Sequence, residues 1–128
     1  MEHDPNNVPA LIELGFIRFL QGNQSEGLAH LRKAIALDPQ NDVPHYKLGL
    51  IYRYQKRVAE AKAEFETALK LNPRNNDAHG NLGVIYAEQG DLALAEQHLR
   101  AAIEINPDDS VARDMLTELL NAKALRKN

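Results

Sequence analysis

The chain has 128 residues, 44% apolar and 26% charged, with no cysteine, no tryptophan and a formal net charge of −3. That length suits one domain burying roughly two-thirds of its unfolded surface, and zero cysteines exclude disulfides and thiolate metal sites. The acidic balance gives no electrostatic reason to expect nucleic acid, and no apolar run approaches the roughly 20 residues of a membrane span, so no membrane insertion is expected.

The first predicted element follows "HDPNN" and reaches Leu20. Between Ala10 and Leu20 only Glu13, Gly15 and Arg18 interrupt the run Leu11, Ile12, Leu14, Phe16, Ile17, Phe19, Leu20. A helix apolar nearly all round is expected to be buried nearly all round. For a helix that opens the chain, this predicts self-association or ligand binding through its Phe16/Phe19 end. Pro9, and later Pro44, fall in predicted first turns, where a missing N–H is tolerated.

Further along, Pro39, Pro73 and Pro107 stand 34 residues apart, and one period back lies Pro5. Leu14-Gly15, Leu48-Gly49 and Leu82-Gly83 keep the same spacing, as do Ala34, Ala68 and Ala102. Several columns agreeing at one period mark three repeats, about 8–41, 42–75 and 76–109. Each reads as two helices. In the third, Leu82, Ile85 and Tyr86 recur at helical spacing, and so do Leu92, Ala95, Leu99, Ala102 and Ile103 after "QGD". Gly90 suits the left-handed turn between them, as does Gly22 in the first repeat, whereas the second has Lys56 at that position. Gly83 lies mid-helix, where a missing side chain lets a neighbouring helix approach, with Ala95 and Ala102 as the expected small surface. Asn and Asp after each proline are expected to cap the next helix. A last helix, about 110–125, has an apolar stripe of Val111, Met115, Leu116, Leu119, Leu120 and Leu125. Its polar face of Arg113, Asp114, Glu118 and Asn121 suits a solenoid cap.

This pattern resembles the tetratricopeptide repeat family, whose 34-residue unit follows Leu-Gly, Tyr, Ala, Phe, Ala, Pro. The second repeat matches as Leu48-Gly49, Tyr52, Ala61, Phe65, Ala68 and Pro73, and the third as Leu82-Gly83, Tyr86, Ala95, Leu99, Ala102 and Pro107. The first departs from the pattern with Arg18 for Tyr and Gly27 for the first Ala. The resemblance implies an all-α, right-handed superhelical solenoid of antiparallel helix pairs plus a capping helix, read as one domain over 1–128. It also implies a protein or peptide partner lying against the first helix of each pair.

No enzyme chemistry is legible. There is no Gly-rich phosphate loop and no nucleophile elbow, and the carboxylates are spread over predicted solvent faces. Neither cofactor nor metal is expected. His45 and His79 share one repeat column, and His30 and His98 another with Glu64 between them. Residues one period apart sit on successive repeats, roughly 8–10 Å or more apart, too far for shared ligation, so these are read as packing or surface histidines.

The columns assigned to the groove hold Ile12, Tyr46 and Gly80; Phe16, Leu50 and Val84; Phe19, Arg53 and Ala87; and Leu20, Tyr54 and Glu88. A neighbouring column holds Glu13, Lys47 and Asn81. The expected anchors are Ile12, Phe16, Phe19, Tyr46, Leu50 and Tyr54, with Lys47, Arg53 and Asn81 as polar contacts and Val84 as a further ligand-binding residue. Some family members clamp a chaperone's C-terminal carboxylate with Lys, Asn and Arg. Here those columns hold Ile12, Phe16, Val43 and Asp77, so the expected ligand is instead an apolar or amphipathic segment. Two alternatives stand beside this interaction module. One is a substrate-positioning segment of a larger enzyme such as a glycosyltransferase. The other is a self-assembling scaffold, suggested by seven Lys/Arg against four Asp/Glu over 42–75 and one against seven over 76–109.

Overall fold

The computed structural model describes residues 5–126, and all regular structure among them is α-helical. The helices are α1 (Val8–Leu20), α2 (Gln24–Leu37), α3 (Val43–Tyr54), α4 (Val58–Leu71), α5 (Asn76–Glu88), α6 (Leu92–Ile105) and α7 (Ser110–Arg126). They fall into two compact units, one ending at Leu71 and one beginning at Asn72.

Short polar caps start several of the helices, though not α2 or α3, where Asn23 and Asp42 make no side-chain cap bond. Asn7 accepts from the Ala10 amide at 3.0 Å, Asn75 from Ala78 at 2.9 Å and Asp109 from Ala112 at 3.0 Å. Each satisfies an amide that the helix itself leaves unpaired. Three-residue turns then fold α2 back on α1, α4 on α3 and α6 on α5. Each turn ends its first helix in the same way. The Gly90 amide donates to Ala87 and the Asp91 amide to Tyr86, with Gly90 at φ 83°. Gly22 and Asn23 repeat these bonds to Phe19 and Arg18, and Lys56 and Arg57 to Arg53 and Tyr52. Lys56 takes the same left-handed geometry, φ 63°, without glycine's freedom.

Within the first unit, Leu11, Ile12, Phe19, Leu31, Ala34, Leu48 and Ile51 form one core that joins α1 and α2 to α3. The α3–α4 pair closes where Phe65 fills the space beside Gly49; a Cβ there would stand 2.6 Å from the ring. In the second unit, Ala95, Leu99, Ala102, Ala112 and Leu119 join α6 to α7. Helices α5 and α6 do approach closely at Gly83, but the nearest atoms belong to Leu99, with the Ala95 carbonyl next. Ala102 instead packs in the core with Ala112 and Leu119.

Two burial expectations change. Helix α1 buries Leu11, Ile12, Gly15 and Phe19 but leaves Ile17 45% and Leu20 61% exposed, because α2 and α3 cover only one side of it. The expected stripe on α7 also splits: Leu119 is buried, while Val111, Leu120 and Leu125 are exposed. At 3.6 residues per turn, Val111 lies about 100° and Leu125 about 140° around the helix from Ala112, which faces the core.

Candidate functional site

The first unit presents one continuous set of the expected binding residues, on α1 and α3. Helical spacing puts Phe16 and Leu20 on one side of α1, and Lys47, Leu50 and Tyr54 on one side of α3. Phe16, Tyr46, Lys47, Leu50 and Arg53 are half-buried, and Tyr54 is 75% exposed. The Lys47 ammonium lies 4.6 Å from the Phe16 ring centroid and 5.8 Å from that of Tyr46. It therefore ties the two helices together while keeping a positive charge over an apolar floor. Tyr46 in turn rests on the Phe65 ring, with centroids 6.0 Å apart.

Two expected anchors are corrected. Ile12 and Phe19 are only 3% and 4% exposed, drawn into the α1–α2–α3 core, so they support this face from beneath. Phe19 meets the edge of Tyr54 at 5.8 Å and so sets the position of that exposed ring. Phe19, Leu20, Gly22, Gln24 and Tyr54 line a cleft of about 140 Å³. Leu20 shares the column of Tyr54, and that shared column was the signal for this apolar neighbour. Asn81 and Val84 lie half-buried on α5 in the second unit, and Asn81 donates to the Asp77 carbonyl at 2.9 Å.

Two histidine contacts have a spacing that column reading overlooked, each joining residues 19 apart across one antiparallel helix pair. His30 instead faces Glu26 on its own helix. His45 Nδ1 lies 3.2 Å from Glu64 Oε2, and His79 Nδ1 lies 3.0 Å from His98 Nδ1. His79 Nε2 lies 3.0 Å from the Pro73 carbonyl, to which it can only donate. Tyr86 stacks on His98 with centroids 5.6 Å apart. Among the described residues, no group of three or more His, Asp or Glu side chains converges as a metal site would require. The arrangement on α1 and α3 offers apolar contact and positive charge to a chain segment.

Comparison with known proteins fits this geometry. A family model described as "Tetratricopeptide repeat" matches residues 46–110, and a second, "TPR repeat", matches residues 15–53. Among solved structures, the first TPR of Spaghetti (RPAP3) bound to the HSP90 peptide SRMEEVD is similar at TM-score 0.82 and 25% identity, over 94% of this chain and 96% of that one. The first TPR domain of human RPAP3 is similar at 0.82 and 25%, over 98% of each chain. MamA is similar at 0.79 and 27%, over 97% of this chain and 72% of that one. No curated protein sequence matches. The fold is thus an all-α helical-repeat fold.

Proposed function

Because the chain belongs to the tetratricopeptide repeat family, we propose that it is a protein–protein interaction module whose α1–α3 face takes an apolar or amphipathic peptide segment. The observation that carries this reading is the Lys47 ammonium poised over Phe16, beside an exposed Tyr54 ring. Leu20, Leu50 and Tyr54 offer apolar contact, while Lys47 and Arg53 favour a carboxylate on the bound segment. Within the second unit, taken by itself, Asn81 and Val84 are proposed as ligand contacts on α5. One relative binds a peptide that ends in Asp, SRMEEVD. Here the columns that would clamp such a terminus hold buried Ile12, half-buried Phe16, Val43 and the carboxylate of Asp77. None is a cation, so recognition here is read as resting on side chains within the segment.

Selection of random peptides displayed on phage tests the proposal, with SRMEEVD titrated as a separate arm. Enriched peptides should combine an aromatic or aliphatic anchor with an acidic residue. Their binding should weaken roughly tenfold or more on Tyr54→Ala or Lys47→Glu, the scale expected for losing a principal contact. SRMEEVD should show no saturable binding. Failure to enrich any sequence, or binding indifferent to both variants, would overturn the proposal.

A further inference from the structure

The apolar and charged parts of the α1–α3 face stand a limited distance apart, and that distance constrains what can touch both. The cleft lined by Phe19, Leu20, Gly22, Gln24 and Tyr54 holds about 140 Å³. A cavity of about 150 Å³ accommodates one benzene ring, so this cleft has room for a single Leu- or Phe-sized side chain. Leu20 is 61% and Tyr54 75% exposed, and the edge contact with Phe19 holds the Tyr54 ring in place as a wall. At the start of α2, Gln24 Oε1 accepts from Gln55 Nε2 at 3.4 Å. That bond leaves the Gln24 amide nitrogen as a donor on a residue lining the cleft.

The charge lies about one helical turn away. Lys47 Nζ stands 4.6 Å from the Phe16 ring centroid. Phe16 precedes Leu20 by four residues, roughly 6 Å of rise along α1. In an extended chain, side chains two residues apart share a face and are separated by roughly 6.6–6.8 Å. Those one or three residues apart point to opposite faces. A helix measures about 10–12 Å across with its side chains. It would have to seat on a cleft one side chain wide, beside a Lys47 side chain that already reaches from α3 to Phe16 of α1. An extended strand is the thinner occupant.

We infer that this face reads a two-position code in an extended segment of a partner protein. One Leu- or Phe-sized side chain fills the cleft, and a carboxylate two residues from it meets Lys47. The Gln24 amide donates to a main-chain carbonyl beside the anchor. The code rests on the interaction-module reading above and adds to it a spacing, a size limit and a backbone conformation.

The probes are decapeptides of Gly and Ser carrying one Leu and one Glu, with the Glu one to four residues from the Leu on either side. Each is titrated into the nitrogen-15-labelled full chain, up to millimolar peptide. With the Glu two residues from the Leu, the amides of Leu20, Gln24 and Lys47 should shift saturably. That peptide should bind about threefold to tenfold tighter than those with a spacing of one or three. Lys47→Met should make it and its Glu→Gln counterpart bind equally. Leu20→Trp, at an exposed position, should fill the cleft and make the Leu peptide bind no better than its Ala counterpart, with the helical signal kept. Trp in place of the peptide's Leu should weaken binding, and tighter binding would overturn the size limit. Tightest binding at a spacing of four would mean a helical ligand, and equal binding at all spacings would mean the two contacts are not read together. Either result overturns the code, as does the absence of a saturable shift at every spacing. The interaction-module reading would survive those results if Tyr54→Ala and Lys47→Glu still weakened the phage-selected peptides, and it would fall separately if selection enriched nothing.

Discussion

Gly27 and Gly15 meet backbone to backbone: a Cβ at Gly27 would stand 2.5 Å from the Gly15 carbonyl oxygen and 2.8 Å from the Phe19 amide nitrogen. The later repeats have Ala61 and Ala95 in that column, so α1 and α2 form a tighter pair that the usual alanine does not fit. Gly27→Ala should therefore destabilise the first unit by about 1–3 kcal/mol, although alanine is the better helix former by about 1 kcal/mol. Urea denaturation measures this directly. An unchanged or raised midpoint would mean the helices can separate without loss.

The turn between α3 and α4 is strained in the opposite sense. Lys56 sits at φ 63°, in the region that glycine occupies in the equivalent turns at Gly22 and Gly90. Lys56→Gly should stabilise by a few tenths to about 1 kcal/mol, since removing the Cβ relieves left-handed strain of about that size. Its turn bonds from the residue 56 and 57 amides should persist. A midpoint that falls would show that glycine's added unfolded-state freedom outweighs the strain.

These turns were legible because a column of Gly, Lys, Gly at one period constrains the backbone, whatever packs around it. The binding face was less so. Ile12 and Phe16 are one helical turn apart, about 40° around α1, yet the edge of the core falls between them. Ile12 is buried and Phe16 half-exposed beneath Lys47. A periodic column shows which residues share a kind of environment, but not where within it contact with solvent begins. The pairing of His79 with His98 was hidden for another reason. Its 19-residue offset comes from antiparallel packing inside one repeat, whereas the search for repeats compares residues 34 apart.

That pair specifies its own tautomers. With both rings neutral, the Nε2 proton of His79 goes to the Pro73 carbonyl, leaving His79 Nδ1 as a bare acceptor. His98 must then carry its proton on Nδ1 to bridge the 3.0 Å between them. Nitrogen-15 spectra above the histidine titration range should show His79 as the Nε2–H form and His98 as the Nδ1–H form. The reverse assignment would mean that the two rings do not share this hydrogen bond.

The last contact ties α7 to α6. Lys123 Nζ donates to Glu96 Oε1 at 2.7 Å, and Arg100 Nε donates to Oε2 of the same carboxylate at 2.9 Å. The Lys123 hydrogen bond, followed by that of Arg100, holds the Glu96 pKa below its usual 4.5. A carboxylate with a folded pKa below its unfolded one stabilises the fold fully above the unfolded value and loses that contribution as pH falls through the folded value. Acidification below pH 4.5 should therefore loosen this link, read as faster amide exchange in the α7 turns around Lys123. Glu96→Gln should give similar fast exchange at neutral pH and remove this part of the acid dependence. The effect should also shrink as salt rises, because the pair is partly exposed and screened. If exchange near Lys123 is the same in wild type and Glu96→Gln at pH 7, then the packing of Ala112 and Leu119 holds α7 alone.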